Sequence, residues 1–205
     1  MISNSHKSIV YKVDFSARED ALADEMFVQR WSPRSFDGSA LPQETLNTVF
    51  DAARFSPSAF NSQPWRIFSS KADRSDLDRF LKLLVDRNQG WAHSASALGF
   101  IIAERNFESG KENRWAGFDT GFAWAALTFQ ANHLGLYTHA MAGIKADEVY
   151  EEFGINREKY QVIVGLAIGK LALPDRLSDD FREKEKPSGR KALNTIYFPG
   201  GCRLD

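Results

Sequence analysis

Between Pro42 and Phe55 the apolar residues Leu46, Val49, Phe50 and Ala53 recur at three- and four-residue intervals. That spacing lays them along one face of a helix, and Pro42 suits its first position with Glu44 close behind. Ser75 to Val85 repeats the amphipathic pattern, Asp147 to Phe153 repeats it briefly, and 18–29 has helical spacing with acids in its first turn. From Arg114 to Leu134 the pattern changes: Phe118, Phe122, Trp124, Leu127 and Phe129 occupy nearly every side of the wheel. A helix of that kind is expected to be enclosed all round, and Gly135 would stop it. Three short runs read as strands, Trp65 to Phe68, Ala97 to Ala103 and Gln161 to Ile168. Helices alternating with three or four separated strands predict an α+β or α/β domain whose sheet is sandwiched by helices.

Length places all of this in one domain, 18–205, behind a polar N-terminal arm at 1–17. Leu173 to Gly189 is charged, proline-bearing and poor in apolar residues, which predicts an excursion from the core rather than part of it. The net charge of −1 leaves no global basic field to hold nucleic acid or an anionic membrane, so any anion site must be a local cluster. Thr120 to Ile144 is free of charge and long enough to span a bilayer, but Gln130, Asn132, His133, Thr138 and His139 interrupt it. The one cysteine, Cys202, excludes an intrachain disulfide, and the start lacks the apolar stretch of a signal peptide, so a cytoplasmic location is expected.

Four constellations could carry chemistry. In QRWSPRSF, 29–36, Pro33 favours extended backbone, which turns Arg30, Ser32 and Arg34 to one side as a receptor for phosphate or another delocalised anion. In SPSAFNSQPW, 56–65, Ser58, Asn61, Ser62 and Gln63 offer amides and hydroxyls of the kind that the edge of a heteroaromatic ring needs, in a loop stiffened by two prolines. In HLGLYTHAMAGI, 133–144, the small residues Ala140, Ala142 and Gly143 let backbone approach a planar ligand. Arg190 could return to the anion site. Each has a plainer reading: solvated arginines, a loop of capping residues, and a helix-to-helix connection built for tight packing. Templates for hydrolases, nucleotide-triphosphate enzymes and metal sites lack their parts. There is no G-x-S-x-G, Walker loop, GxGxxG, HExxH or CxxC, and His133 and His139 are not four apart.

Taken in order, RWSPRSF, LPQETLNTVFDAARFSPSAFNSQPW, FDTGFAWAALTFQANHLGLYTHAMAGI, VIVGLAIGK and GRKAL resemble the FMN-dependent nitroreductase family over about residues 26–195. The resemblance implies an α+β fold, an intertwined homodimer, and FMN at two sites lined by both subunits. It implies ping-pong transfer from NADH or NADPH through FMN to a small-molecule acceptor such as a nitroaromatic or quinone, with no obligatory acid, base or nucleophile from the protein. Relatives that use the same scaffold for reductive dehalogenation or flavin breakdown, or a flavin protein without turnover, are the alternatives. By resemblance, Arg30, Trp31, Ser32 and Arg34 form the first flavin motif, with Arg30 and Ser32 at the phosphate and Arg34 near the N1/C2=O edge. Pro57, Ser58 and Ala59 match a segment given by the partner subunit, and Asn61 matches a flavin-contacting amide. Ala140, Met141, Ala142 and Gly143 match the backbone strip near N5, and Arg190 matches a late phosphate-binding cation. Ala59, Ala142 and Ser188 depart from residues frequent in the family. Trp115 and Phe118 remain as aromatic candidates for acceptor contact.

Overall fold

The computed structural model describes residues 11–201 and Arg203. The first ten residues of the arm, with His6, and Cys202 lie outside the described residues.

Four strands form one antiparallel sheet: β1 (Trp65–Ser69), β2 (Ala97–Glu104), β3 (Tyr137–Met141) and β4 (Tyr160–Gly169), in the order β1-β2-β4-β3. Helices α2 (Gln43–Asp51) and α5 (Ala116–His133) cover one face, where Leu46, Val49 and Leu127 meet Ile101, Leu166 and Ile168. On the other face α3 (Leu77–Leu81), α4 (Asp86–Ala92) and α6 (Ala146–Glu152) bring Phe80, Trp91 and Val149 against Phe100 and Ile102. The alternation of β2 residues between the two clusters is the period-two geometry of a strand buried on both sides. The fold is thus α+β, a sheet sandwiched by helices.

Several elements differ from the sequence reading. Of 18–29 only α1 (Glu25–Val28) is α-helical, beginning where Asp24 caps the Met26 N–H, because Leu22 and its neighbours find nothing apolar to cover them. The helix expected over 75–85 stops at Leu81. Val85 N–H donates to the Gly143 carbonyl and Lys145 N–H to that of Leu83, so a tertiary backbone bridge displaces the last helical turn. The stretch 133–144 is no helix-to-helix connection: β3 occupies its centre and pairs along β4. The segment 173–189 is mostly exposed and charged, yet it is anchored by buried Leu177, Glu185 and Pro187, and by α7 (Asp179–Arg182).

Helix α5 is apolar on nearly every side, more than a single chain of this size is expected to cover. Its buried side is Ala116, Asp119, Thr120, Ala123, Leu127, Thr128 and Ala131. Phe118 and Phe122 stay 64% and 41% exposed, and a Cβ added at Gly117 or Gly121 would touch nothing. The chain alone therefore does not enclose this helix, and an apolar stripe of about two turns faces outward.

Buried hydroxyls tie α5 to β3, Thr128 Oγ1 lying 2.8 Å from Thr138 Oγ1. Replacing one of them strands the other without a partner, whereas replacing both removes the problem. Thr128→Val is expected to cost about 1–2 kcal/mol in urea unfolding, and the Thr128→Val/Thr138→Val double variant less than the sum of the singles. Strict additivity would contradict the bond's role.

Candidate functional site

Arg30, Ser32 and Arg34 lie on the extended strip that enters the fold from α1, where Arg30 Nη1 donates to Ser32 Oγ at 3.3 Å. Arg190 arrives from the far end of the chain, close enough that its charge, after burial, helps hold the Arg30 guanidinium below its usual range. Sequence reasoning missed the residue that joins them. Arg18 is buried, and its Nε donates to the Ser188 carbonyl at 2.8 Å while Nη1 donates to the carbonyls of Val28 and Arg30 at 2.5 and 3.0 Å. It clamps the 188–190 segment to the strip. Burial first, then the charges of Arg190 and Arg30, lower its pKa too. Among the described residues no carboxylate lies within 4.0 Å of Arg18, Arg30 or Arg190. Three guanidinium groups gathered without a counter-charge, two of them partly desolvated, repel one another and favour an anion between them.

The other strip residues behave differently. Trp31 is buried, packed edge-on to Tyr137 with centroids 6.4 Å apart, so its ring belongs to the core. Arg34 turns towards the 173–189 segment, its guanidinium 5.6 Å over the Phe181 ring and 3.9 Å from Glu185 Oε2. Glu185 Oε1 accepts the backbone N–H groups of Arg34 and Ser35 at 2.7 and 2.8 Å.

The strip is joined to β3 by His139, another residue that spacing could not reveal. Its Nδ1 lies 2.9 Å from the Pro33 carbonyl, which can only accept, so the proton sits on Nδ1. Its ring packs on Trp91 at 4.7 Å between centroids. Burial chiefly, with Arg34 and Arg30 adding repulsion, lowers its pKa to about 4. Beyond it, Ala140 and Met141 pair with Leu166 and Gly165 inside the sheet, and Ala142 is exposed at the strand's end. Gly143 packs against α4: an added Cβ would lie 2.6 Å from Asn88 Nδ2 and 2.8 Å from Val85 Cγ2. Close packing already explains that glycine.

The loop around Pro57, Ser58, Ala59 and Asn61 is elsewhere. Ala59 N–H donates to Asp119 Oδ2 at 3.0 Å, at the start of α5, and Ser58 Oγ accepts the Gln63 N–H at 3.0 Å. Phe60, Asn61 and Gln63 hold φ of 53°, 56° and 46°, left-handed backbone that is costly for a residue with a side chain. Trp115 and Phe118 share that end of α5 and are exposed. The arginine strip joins the other end, where Phe27 packs on Phe129 and Thr138 meets Thr128. Asp119 and Thr128 are separated by about 14 Å along the helix axis. Within one chain the arginine strip and this loop therefore lie apart, and no hydrogen bond among the described residues links them.

The site thus defines a class: an α+β protein whose sheet and outer strip frame a basic cluster without a counter-charge, beside an uncovered helix face. Comparison with known proteins gives the family. The nitroreductase family model matches residues 27–97. A crystal structure described as an oxidoreductase containing FMN is 38% identical, covers 95% of this chain and all of its own (100%), and superposes with a TM-score of 0.88. YdgI of Bacillus subtilis, named as an NAD(P)H nitroreductase, is 24% identical over a match spanning 72% of this chain and 88% of its own. A nitroreductase structure from Desulfovibrio desulfuricans in complex with FMN is 19% identical with a TM-score of 0.68, covering 84% and 93%. At that identity the likeness is one of fold. The chain belongs to the nitroreductase family.

His139 makes the site sensitive to acid. A histidine whose pKa falls on folding binds fewer protons folded than unfolded, so stability present above pH 6.5 is lost as pH drops towards about 4. Glu185, raised chiefly by burial, acts in the opposite direction, so the histidine is read by difference. His139→Asn retains a donor near the Nδ1 position. The stability advantage of the parent over this variant should shrink by up to about 3 kcal/mol between neutral pH and pH 4 in urea titrations. A difference independent of pH would contradict a buried neutral imidazole.

Proposed function

We propose that this chain is an FMN-dependent oxidoreductase that passes reducing equivalents from NADH or NADPH to a small oxidised acceptor such as a nitroaromatic or quinone, and that it works as a homodimer. The observation that carries this reading is the cluster of Arg18, Arg30 and Arg190 around Ser32 with no carboxylate to neutralise it. Its chemistry fits a phosphate monoester, which offers several strong acceptor oxygens to forked donors. Membership of the family and the FMN named for the 38% identical structure support the choice of flavin. The name of YdgI supports the nicotinamide reductant.

In this reading Arg30, Ser32 and Arg190 hold the phosphate, while Arg18 positions them from beneath. Arg34 places a positive charge where negative charge develops at the pyrimidine edge of the ring, the preorganised electrostatic help that favours hydride acceptance. When bound, FMN would supply the hydride and electron chemistry, so no side chain need serve as nucleophile, acid or base. Ala140 to Gly143, on and just beyond β3, would offer their backbone to it. The second copy explains two features together. The uncovered stripe of Gly117, Phe118, Gly121 and Phe122 gives it a docking face. Its Pro57 to Asn61 loop then completes a site that one chain leaves divided. Trp115 and Phe118, exposed beside that loop, would border the acceptor.

The purified protein is expected to take up FMN and to lose its oxidised absorbance anaerobically when NADH or NADPH is added, the colour returning with a quinone. Arg30→Ala should weaken FMN binding at least tenfold, about 1.4 kcal/mol, in a fluorescence titration. An unchanged affinity would remove Arg30 from the phosphate site.

A further inference from the structure

The carboxylate of Glu185 has no place in the reading above, yet its surroundings are unusually specific. It comes from the charged segment 173–189, its side chain has no exposure, and Oε1 takes both the Arg34 and Ser35 N–H groups. Oε2 has no hydrogen-bond partner among the described residues, and lies 3.9 Å from the Arg34 guanidinium. Four residues earlier, Phe181 supports the same guanidinium from below and also receives Arg87 at 5.2 Å, while Arg87 is held by Asp180 at 2.6 Å. One short segment therefore fixes the backbone, the side chain and the counter-charge of a single arginine. The charged or titratable groups around Glu185 are Arg34 and Tyr11. Tyr11 is pushed up to about 12, chiefly by burial and next by the charge of Glu185.

A carboxylate this close to Arg34 offsets part of its positive field at any group placed beyond it. Resting on the flavin reading, we propose that Glu185 is a positioning residue that holds Arg34 at the ring edge and damps its charge, so that the Glu185–Arg34 pair sets the reduction potential of the bound flavin. Arg34 alone would draw electrons strongly and make the reduced ring reluctant to give them up. With Glu185 behind it the same guanidinium still favours hydride acceptance but leaves the reduced ring able to pass electrons to weaker oxidants. Burial of the carboxylate serves that purpose, since a solvated charge at this distance would be screened.

Glu185→Gln keeps an oxygen acceptor for both N–H groups and removes the charge, with an amide NH2 in place of Oε2. The test is the two-electron midpoint potential of FMN-loaded protein, measured by anaerobic dithionite titration against a reference dye, for parent, Glu185→Gln, Arg34→Gln and the double variant. The expected result is a rise in Glu185→Gln equivalent to at least a tenfold higher ratio of reduced to oxidised flavin at fixed potential, about 30 mV for two electrons. In the Arg34→Gln background the direct field of the lost carboxylate still acts, because charges add at the ring, so only the part of the shift that works through the position of Arg34 should disappear and the ratio should change by less. If Glu185→Gln binds FMN and unfolds in urea like the parent but its potential is unchanged, the proposal is overturned while the flavin reading stands. An equal shift in both backgrounds overturns the route through Arg34. A parent that takes up no FMN overturns the flavin reading and this proposal with it.

Discussion

Positive charge assembled without negative charge is the constraint on which the structure turns. Arg18 and Arg30, from neighbouring parts of the chain, and Arg190, from its far end, are brought together at the cost of mutual repulsion and of partly burying two guanidinium groups. Arg18 makes this tolerable by spending its donors on three backbone carbonyls, which stabilise its charge without cancelling it. A protein built only for stability would place an acid there. An anion bound to the open cluster would stabilise the fold, the linkage by which a ligand bound only to the native state adds to stability.

The remaining architecture holds the strip that carries part of that cluster. His139 bonds the strip to β3, Thr138 bonds β3 to α5, and Glu185 pins the strip from outside. The strip is thus held on two sides by buried polar contacts, which have narrower geometry than apolar packing. At the opposite end of α5 the strained loop of Phe60, Asn61 and Gln63 is secured by Asp119, which takes the Ala59 N–H, and by Asn113, which reaches Ser62 Oγ at 3.2 Å. Backbone so costly is thus held by a buried acceptor, Asp119, and a buried donor, Asn113, and is tipped with the 91% exposed Phe60.

How much of this could be read from the residues depended on whether the signal was local. The helix at Gln43–Asp51, the long α5 and the strands β2 and β4 follow from apolar periodicity and sit within a few residues of their predicted limits. Pro33 made the strip extended, and the geometry does place Arg30 beside Ser32. Strand β3 was hidden because its Tyr-Thr-His-Ala-Met run is stabilised by pairing with β4, a contact invisible to spacing. The break after Leu81 was hidden for the same reason. Arg18, His139 and Glu185 act through carbonyls and N–H groups remote in sequence, so their residue types announced nothing. A buried charge in an otherwise polar arm or excursion can be found only once the chain is folded. The all-apolar wheel of α5 was legible in its spacing, and the face that a chain of this size cannot enclose lies open within one chain.

The central claim is that the basic cluster recognises a phosphate rather than the ring attached to it. The most direct measurement compares the affinities of the apoprotein for FMN and for riboflavin, which differ only in that phosphate, at two salt concentrations. FMN should bind at least a hundredfold more tightly, about 2.7 kcal/mol, and the margin should narrow as salt screens the exposed Arg190. Equal affinities for the two flavins, unaffected by salt, would show that the guanidinium groups are not an anion site and would contradict the account.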